Sequence, residues 1–412
     1  MKKKNACTVL LSLSAAWSLT AQTSNTGIIT VEENTIISTM ADFTNGPQGV
    51  LINDGEAYIY RDFKNDGVVS HSDQSEGLTR FEGGQAQVIG GSMESEFRNI
   101  LFYNPSPAPS FLLEGDIRVN GVSEFNQGII DNRNFGGIFL FSDNATHADT
   151  WNGSFVDGKV DKEGPESFLF PVGGGNLFRY CTISAPQESN SKFEAIYHLE
   201  NSNDVKNHTD KDESIEFIDN QEYWVINKLQ GNLNVILTLS WSQSTTPASI
   251  YTAGPEELII VGYDETANKW INLGGVADPN NQTVSTPVEL TAYGYFTLAR
   301  AFKKWDDCVE IYNVITPLTK DGINDFFQIE CLENYPDNSV EIFNRWGVKV
   351  FKTKGYGIDG NVFEGYSAGR TTVGGSGLLP TGTYFYILNY NAKHGTEVTA
   401  HKKIGYLYLN AE

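Results

Sequence analysis

Residue types that commonly carry out catalysis are present in this sequence, but their spacing forms no catalytic motif. The six histidines are scattered through mostly polar stretches, at His71, His147, His198, His208, His394 and His401. The sequence contains no His-Glu-x-x-His, Gly-x-Ser-x-Gly, Gly-Lys-Ser/Thr phosphate loop or Cys-x-x-Cys. Carboxylates are plentiful, yet none of them stands out as a glycosidase pair. We therefore predict no enzymatic activity, no catalytic residue and no cofactor.

The cysteines allow disulfide chemistry if the protein is exported. Cys308 and Cys331 flank a turn-rich stretch and could form a disulfide across a hairpin. Closing that loop would contribute about 3 kcal/mol in the chain-entropy model. The alternative is a pair of free thiols. Cys181 would be left over, and we predict that it is buried as a small hydrophobic residue.

Oxygen-bearing side chains come close together in the segment that contains Asp321, Asn324 and Asp325. Carboxylate and amide oxygens are the ligands that Ca²⁺ prefers, which makes these residues a weak calcium candidate. The twelve-residue ligand spacing of a calcium loop is absent, however. We favour the alternative, in which the same side chains form Asx turns that hold the loop.

The composition predicts an all-β protein. Aromatic residues make up 12% of the chain, glycines number 40, and no long stretch has helical periodicity. Residues 22–160 consist of short β-forming phrases that end in Asn-Asp-Gly or Asn-Gly, as at residues 53–55, 65–67 and 120–121. Such phrases at steps of roughly 10–20 residues predict a β-solenoid-like region. The alternative for this region is a β-sandwich.

Two further regions follow. In residues 161–303, runs such as 235–241, 258–263 and 294–299 alternate between apolar and polar residues and predict an antiparallel β-sandwich. In residues 304–412, the β-forming runs 340–343 and 348–351 are joined by Asn344-Arg345-Trp346-Gly347, which predicts a hairpin. Runs 384–390 and 404–409 should pair across a turn near residues 393–395. This region is predicted to be a small Ig-like β-sandwich of about seven strands.

The N-terminus and the charge indicate where the protein acts. Residues 1–21 combine Lys2, Lys3 and Lys4 with an apolar run and read as a signal peptide. The formal net charge of −22 argues against nucleic acid and anionic lipid as partners. No other stretch approaches the roughly 18 consecutive apolar residues of a membrane span. We expect a protein of the cell surface or the extracellular space.

The C-terminal motifs resemble a known family. Residues 304–412 are similar to the type B, gliding motility-associated, C-terminal sorting domain of Bacteroidetes type IX secretion substrates. The motif residues are Asp321, Gly322, Asn324, Asp325, Asn344, Arg345, Trp346, Gly347, Pro380, Gly382, Tyr384 and Gly405. The family pattern has Thr-Pro-Asn and a Gly before Asp-Gly, whereas Leu318, Thr319 and Lys320 stand here before Asp321.

The resemblance implies export by the type IX machinery, with the C-terminal domain as signal and an outer-membrane β-barrel as partner. Arg345 and Trp346 could form a recognition pair. We favour a structural role, in which Trp346 packs on a core edge and Arg345 stacks on it.

For residues 22–303 we predict a non-enzymatic adhesin or extracellular scaffold. The alternatives are a carbohydrate-binding or polysaccharide-processing protein, with a glycan or cell-surface ligand, and a structural spacer.

Overall fold

The structure is a computed structural model that describes residues 22–302, 308–367, 377–394 and 397–411. Strands hold 48% of the chain and helices 3%, which confirms the all-β prediction. The chain forms two compact units, the first ending at Ala301 and the second beginning at Phe302. The predicted signal peptide, residues 1–21, lies outside the described residues. Among the residues described, no helix is long and apolar enough to cross a membrane.

The first unit begins as a parallel β-solenoid of about six turns. Each turn contributes three short strands, and each strand pairs in parallel with its counterpart in the next turn. The strands of the six turns are β1 Gln22–Asn25, β2 Ile28–Val31, β3 Ile36–Thr39; β4 Asp42–Asn45, β5 Val50–Asn53, β6 Glu56–Ile59; β7 Phe63–Asn65, β8 Val68–Ser70, β9 Leu78–Glu82; β10 Gln87–Gly90, β11 Ser95–Phe97, β12 Asn99–Tyr103; β13 Phe111–Leu113, β14 Ile117–Val119, β15 Val122–Gln127; and β16 Ile130–Asp131, β17 Phe139–Phe141, β18 Thr146–Ala148. This confirms the predicted solenoid, and the sandwich alternative for this region is wrong.

The solenoid has three faces, each a parallel sheet. Strands β1, β4, β7, β10, β13 and β16 form the first face; β2, β5, β8, β11, β14 and β17 the second; and β3, β6, β9, β12, β15 and β18 the third. Strands β19 (Val156–Asp157) and β20 (Val160–Glu163) extend the first and second faces by one further strand each.

Asparagines at the end of the first-face strands form a buried ladder. Asn25 Nδ2 donates to Asn45 Oδ1, and Asn45 Nδ2 donates to Asn65 Oδ1, each over 2.9 Å. The same amides also donate to backbone carbonyl groups at the next corner, as Asn45 does to Val68 over 2.9 Å. A buried polar group must find hydrogen-bond partners, and stacking one asparagine on the next supplies them. The repeated Asn-x-Gly phrases of the sequence thus mark the corners of the solenoid.

Phenylalanines fill the rest of the solenoid interior. Phe81, Phe102 and Phe125 occupy equivalent positions in successive turns, with ring centroids 6.0 and 5.7 Å apart. His147 follows them in β18, where its ring packs edge-on against Phe125 and Phe168. Burial lowers the pKa of His147, and its Nε2 donates to the Leu169 carbonyl oxygen over 2.7 Å. A histidine with a lowered pKa therefore packs among the aromatic rings at this end of the solenoid, although the strand register places it beside Ser123.

Antiparallel strands continue the first unit beyond β20. They are β21 Phe168–Phe170, β22 Gly173–Gly174, β23 Leu177–Phe178, β24 Cys181–Ile183, β25 Lys192–His198, β26 Ile215–Ile218, β27 Tyr223–Gln230, β28 Leu237–Ser240, β29 Leu258–Asp264, β30 Lys269–Asn272, β31 Val276–Asp278, β32 Thr283–Ser285 and β33 Gly294–Ala301, with a 3₁₀ helix at Ser202–Asp204 and α1 at Ala248–Tyr251. One sheet runs on from β20 in the order β25-β27-β33-β29-β30, with β26 beside β33, and a second has the order β21-β24-β28-β32-β31.

These two sheets contribute residues to one hydrophobic cluster, as expected for the sandwich that the sequence predicted in the middle of the chain. Cys181 belongs to this cluster and is fully buried, which confirms its predicted burial. The predicted boundary at residues 160 and 161 falls inside β20, and one hydrophobic cluster runs from Val31 to Leu298. The solenoid-like and sandwich regions therefore share a single core.

A buried ion pair lies inside this sandwich. Arg179 Nε and Nη2 donate to the two carboxylate oxygens of Glu222, each over 2.9 Å. Tyr197 also donates to Glu222 over 2.8 Å, and Arg179 Nη2 donates to the Ser240 carbonyl oxygen over 2.7 Å. The Trp224 indole donates to the Arg179 carbonyl oxygen over 3.0 Å. Both charges are thus desolvated but densely hydrogen-bonded, the condition under which a buried pair is tolerated.

In the described residues of the second unit, seven strands form two sheets. They are β34 Glu310–Ile311, β35 Val314–Ile315, β36 Ile329–Glu330, β37 Asn338–Phe343, β38 Lys349–Lys354, β39 Gly382–His394 and β40 Glu397–Leu409, with a 3₁₀ helix at Leu332–Asn334. The larger sheet has the order β35-β40-β39-β37-β38, and β34 pairs with β36. The predicted hairpin pairs, β37 with β38 and β39 with β40, are confirmed.

We expect Glu222→Ala to lower the free energy of unfolding of the first unit by about 3–5 kcal/mol, because Arg179 would be left charged and buried. Chemical denaturation of the purified protein measures the loss. Glu265→Ala is the matched control, since Glu265 pairs with Lys206 over 2.6 Å at the surface and is 58% exposed. Glu265→Ala should lower the free energy of unfolding by no more than about 1 kcal/mol. Equal losses in the two variants would contradict the prediction.

The stability of the first unit should also depend on the protonation of His208. Burial, reinforced by Lys211, lowers the pKa of His208 to about 4. Its Nε2 lies 2.7 Å from the Ser202 hydroxyl oxygen. Because the folded-state pKa lies below that of the unfolded chain, the stabilising contribution is complete above pH ~6.5 and is lost as pH falls towards 4.

We therefore expect the stability difference between wild type and His208→Gln to shrink by roughly 2 kcal/mol between pH 7 and pH 4.5, after discounting for partial exposure. Subtracting the two curves removes other titrating groups. One of these is Asp219, because burial and the charge of Glu222 raise its pKa to about 8. Protonation of Asp219 therefore has the opposite effect on the free energy of unfolding. A difference that stays constant with pH would refute the role assigned to His208.

Candidate functional site: the C-terminal unit

The hairpin between β37 and β38 is held by the side chain of Asn344. Its Oδ1 accepts hydrogen bonds from the backbone N–H groups of Trp346 and Val348, over 3.0 and 2.9 Å. Gly347 has a φ of 75°, in the left-handed region that glycine adopts without strain. Asn344 and Gly347 are therefore required by the turn itself, as the sequence predicted.

The other two residues of this turn point into solvent. The Trp346 side chain is 72% exposed, and the Arg345 guanidinium lies 4.2 Å from the centre of its ring. The predicted stacking is confirmed, but the prediction that Trp346 packs on the edge of the core is wrong. The hairpin therefore displays the indole. An exposed tryptophan paired with an arginine has the composition of an interaction hot spot.

The segment around Asp321 is a network of Asx turns. Asp321 Oδ1 accepts the N–H of Ile323 over 2.9 Å, and Asp325 Oδ2 accepts the N–H of Gly322 over 3.0 Å. Asn324 has a φ of 55° and fixes the loop through its carbonyl oxygen, which accepts the Thr316 N–H over 2.7 Å. These hydrogen bonds are those of the Asx turns that we favoured over a calcium site on the basis of the sequence. Within the described ranges, no group of three His, Cys, Asp or Glu residues could hold a metal ion.

The motif residues of β39 and β40 shape the long hairpin. The Tyr384 hydroxyl donates to the Pro380 carbonyl oxygen over 2.8 Å, which fixes the entry into β39 that contains Gly382. Gly405 lies opposite Tyr386 in the register, and a Cβ at Gly405 would overlap the Tyr386 ring. A glycine is therefore needed at residue 405 because an aromatic ring covers the backbone there.

Two residues that the sequence did not single out hold the rest of this unit together. Buried Asn338 donates to the carbonyl oxygens of Tyr335 and Tyr356 and accepts the N–H of Tyr356 over 2.7 Å. The buried Tyr356 hydroxyl donates to the Phe327 carbonyl oxygen over 2.5 Å and accepts the N–H of Phe363 over 2.9 Å. The Tyr-Pro-Asp-Asn phrase at residues 335–338 is the one local signal that could have revealed Asn338.

The outer face of the larger sheet is apolar and exposed. Phe385 on β39 lies between Phe343 on β37 and Tyr406 on β40 in the strand register. Phe385 is 47% exposed, Tyr406 58% and Ile404 66%. This face and the Arg345–Trp346 pair belong to the same five-stranded sheet, so the unit offers a partner an aromatic surface built on rigid strands.

The two remaining cysteines lie beside each other. Both thiols are free in the structure, and each faces the other closely enough for the Cys308 thiol to raise the pKa of Cys331 to about 11. Cys308 precedes β34 and Cys331 follows β36, and these two strands pair antiparallel. The pairing of these strands places the two thiols within reach of each other, as the predicted disulfide requires.

Residues 309–409 match the family model of the CHU_C type IX secretion signal domain. Neither the curated proteins nor the solved structures contain a match to the chain. The match confirms the resemblance drawn from the motifs. A signal of this kind directs export through the type IX machinery to the cell surface or the extracellular space.

We expect Gly405→Ala to destabilise the C-terminal unit by about 1–3 kcal/mol, because the added methyl group displaces the Tyr386 ring. Thermal unfolding followed by near-ultraviolet circular dichroism reports on the tyrosines. Gly27→Ala serves as control, since nothing lies within 4 Å of a Cβ at that position. A melting transition unchanged by Gly405→Ala would show that the ring does not need this glycine.

We also expect Cys308 and Cys331 to be joined by a disulfide in the exported protein. Intact mass after alkylation in denaturant, with and without reduction, counts the free thiols. Of the three cysteines beyond the predicted signal peptide, Cys181 alone should react before reduction, and all three should react after it. Cys181→Ser should leave no reactive thiol before reduction. Three reactive thiols in unreduced wild type would refute the bond.

Proposed function

We propose that this protein is an extracellular or cell-surface adhesin or scaffold without catalytic activity, carried out of the cell by its C-terminal unit. The match of residues 309–409 to a type IX secretion signal domain is the observation that supports the export part of this proposal. In it, the segment 1–21 directs passage across the inner membrane, and the C-terminal unit engages the machinery of the outer membrane. An outer-membrane β-barrel is the partner that we propose at the cell surface.

The structure of the first unit supports a role without catalysis. Its most densely bonded ionisable pair, Arg179 and Glu222, is 4% and 0% exposed, so substrate has no access to it. Two carboxylates of the third solenoid face, those of Glu56 and Glu82, lie 3.3 and 3.9 Å from Arg80. A general acid needs surroundings that favour its protonated form, and an adjacent guanidinium favours the charged form.

One observation favours the second candidate, a carbohydrate-binding protein. A structural spacer would present uniformly polar faces, whereas the third face of the solenoid carries Tyr58, Tyr60 and Tyr103, and Tyr103 is 45% exposed. Exposed aromatic rings beside polar side chains are the usual composition of a binding surface. The third face of the solenoid is therefore the surface that distinguishes a carbohydrate-binding protein from a structural spacer.

We expect deletion of residues 306–412 to prevent the protein from appearing in the medium or on the cell surface. The truncated chain should accumulate in the periplasm, because the first unit keeps its own core. Fractionation of the cells followed by immunodetection measures this. Normal appearance outside the cell would contradict the proposed route.

The double variant Arg345→Ala, Trp346→Ala separates recognition from folding. Because Trp346 is exposed, the variant should melt as wild type does but be exported less efficiently. Trp151→Ala in the first unit, where Trp151 is 51% exposed, is the matched control and should be exported normally. Export of the double variant at the wild-type level would indicate that Arg345 and Trp346 have only a structural role.

A further inference from the structure

Three tyrosines lie on the third face of the solenoid, two in the second turn and one in the fourth. Tyr58 lies in β6, Tyr60 directly follows it, and Tyr103 ends β12. The strand register places Glu82 beside Tyr103, and the register of Ile59 with Phe81 brings Tyr60 beside Glu82. Tyr60 and Tyr103 are therefore two strands apart, about 10 Å, with a carboxylate between them.

Tyr60, Glu82 and Tyr103 line an open groove of about 560 Å³. Met40, which is 75% exposed, lies beside Tyr60 in the neighbouring turn, and the turn Gly83-Gly84-Gln85 forms one wall. The rings of Tyr58 and Tyr60 stack with centroids 6.2 Å apart. The groove thus runs across the strands, along the solenoid axis.

Polar groups beside Tyr58 and within the groove are already held in place. Arg80 lies over the Tyr58 ring at 5.3 Å and pairs with Glu56, which also accepts the Tyr58 hydroxyl over 2.9 Å. Arg61 Nη1 donates to Gln85 Oε1 over 2.7 Å. Planar donors and acceptors therefore flank the aromatic rings, and little side-chain entropy remains to be lost on binding.

We infer that this groove binds a linear, neutral oligosaccharide. The flat, apolar face of a sugar ring packs on tyrosine, which offers a large rigid contact at low entropic cost. Sugar hydroxyls suit the carboxylate, guanidinium and amide groups beside the rings. The distance from Tyr60 to Tyr103 is comparable to the length of a disaccharide, so alternate sugars of one chain meet the two rings.

The charge of the protein determines which saccharide is accepted. With a formal net charge of −22 and the Glu82 carboxylate in the groove itself, the protein disfavours polyanions such as polyuronates. The open ends of the groove favour a chain over a single sugar. This inference rests on the carbohydrate-binding candidate and not on export, so an assay on purified protein can fail without affecting the secretion proposal.

Isothermal titration of the purified mature protein with hexasaccharides of glucose, xylose and N-acetylglucosamine tests the inference, with a hexagalacturonate and free glucose as comparison ligands. We expect at least one neutral hexasaccharide to bind, and free glucose and hexagalacturonate to bind at least about tenfold more weakly. Tyr60→Ala and Tyr103→Ala should each weaken binding about tenfold or more, whereas Tyr60→Phe, which keeps the ring, should retain it.

Tyr312→Ala is the matched control, because Tyr312 is a 37% exposed tyrosine of the second unit, and it should bind as wild type does. Thermal unfolding confirms that each variant is folded. No binding of any neutral hexasaccharide would overturn the inference. Saccharide binding that both alanine variants retain in full would also overturn it. The same holds if a tyrosine-rich test peptide binds in this groove and the saccharides do not.

Discussion

Hydrogen bonding between equivalent strands of successive turns is the interaction on which the first unit depends. It fixes the register, so each residue lies directly above the equivalent residue of the turn before it. Inside the solenoid, equivalent buried residues therefore pack directly on one another, and two of the resulting columns consist of one residue type. The ladder that begins at Asn25 consists of side-chain amides, and the column through Phe102 consists of aromatic rings. The same constraint outside the solenoid aligns Tyr60, Glu82 and Tyr103 in one groove.

A stack of parallel turns exposes an unpaired strand wherever it stops, and such an edge invites association. Here the second face does not stop after β20, because β25 pairs with it antiparallel and carries the sheet into a sandwich. The change of direction brings Arg179 and Glu222 together between the two sheets. Their dense hydrogen bonding fixes one arrangement of strands at the point where the regular repeat ends.

The parts of the fold that depend on local patterns could be predicted from the sequence. Asn-x-Gly phrases mark solenoid corners, and the turn at Asn344 and Gly347 joins two alternating runs, because turn chemistry is decided within a few residues. Contacts between distant residues could not be predicted in this way. Arg179 and Glu222 are 43 positions apart with no pattern linking them, and the need for Gly405 is visible only once Tyr386 lies opposite it. The exposure of Trp346 was also mispredicted, since large aromatic residues are buried more often than displayed.

The C-terminal unit has its own core and a rigid sheet whose aromatic outer face is exposed, so it should direct export whatever chain precedes it. The most direct test fuses residues 302–412 to a fluorescent protein that folds in the periplasm, in a host that has the type IX machinery. Fluorescence and immunodetection outside the cell are compared with a host that lacks the machinery. The reporter should appear outside only in the first host. A folded fusion that stays in the periplasm of both hosts would contradict the assignment of this unit as the export signal.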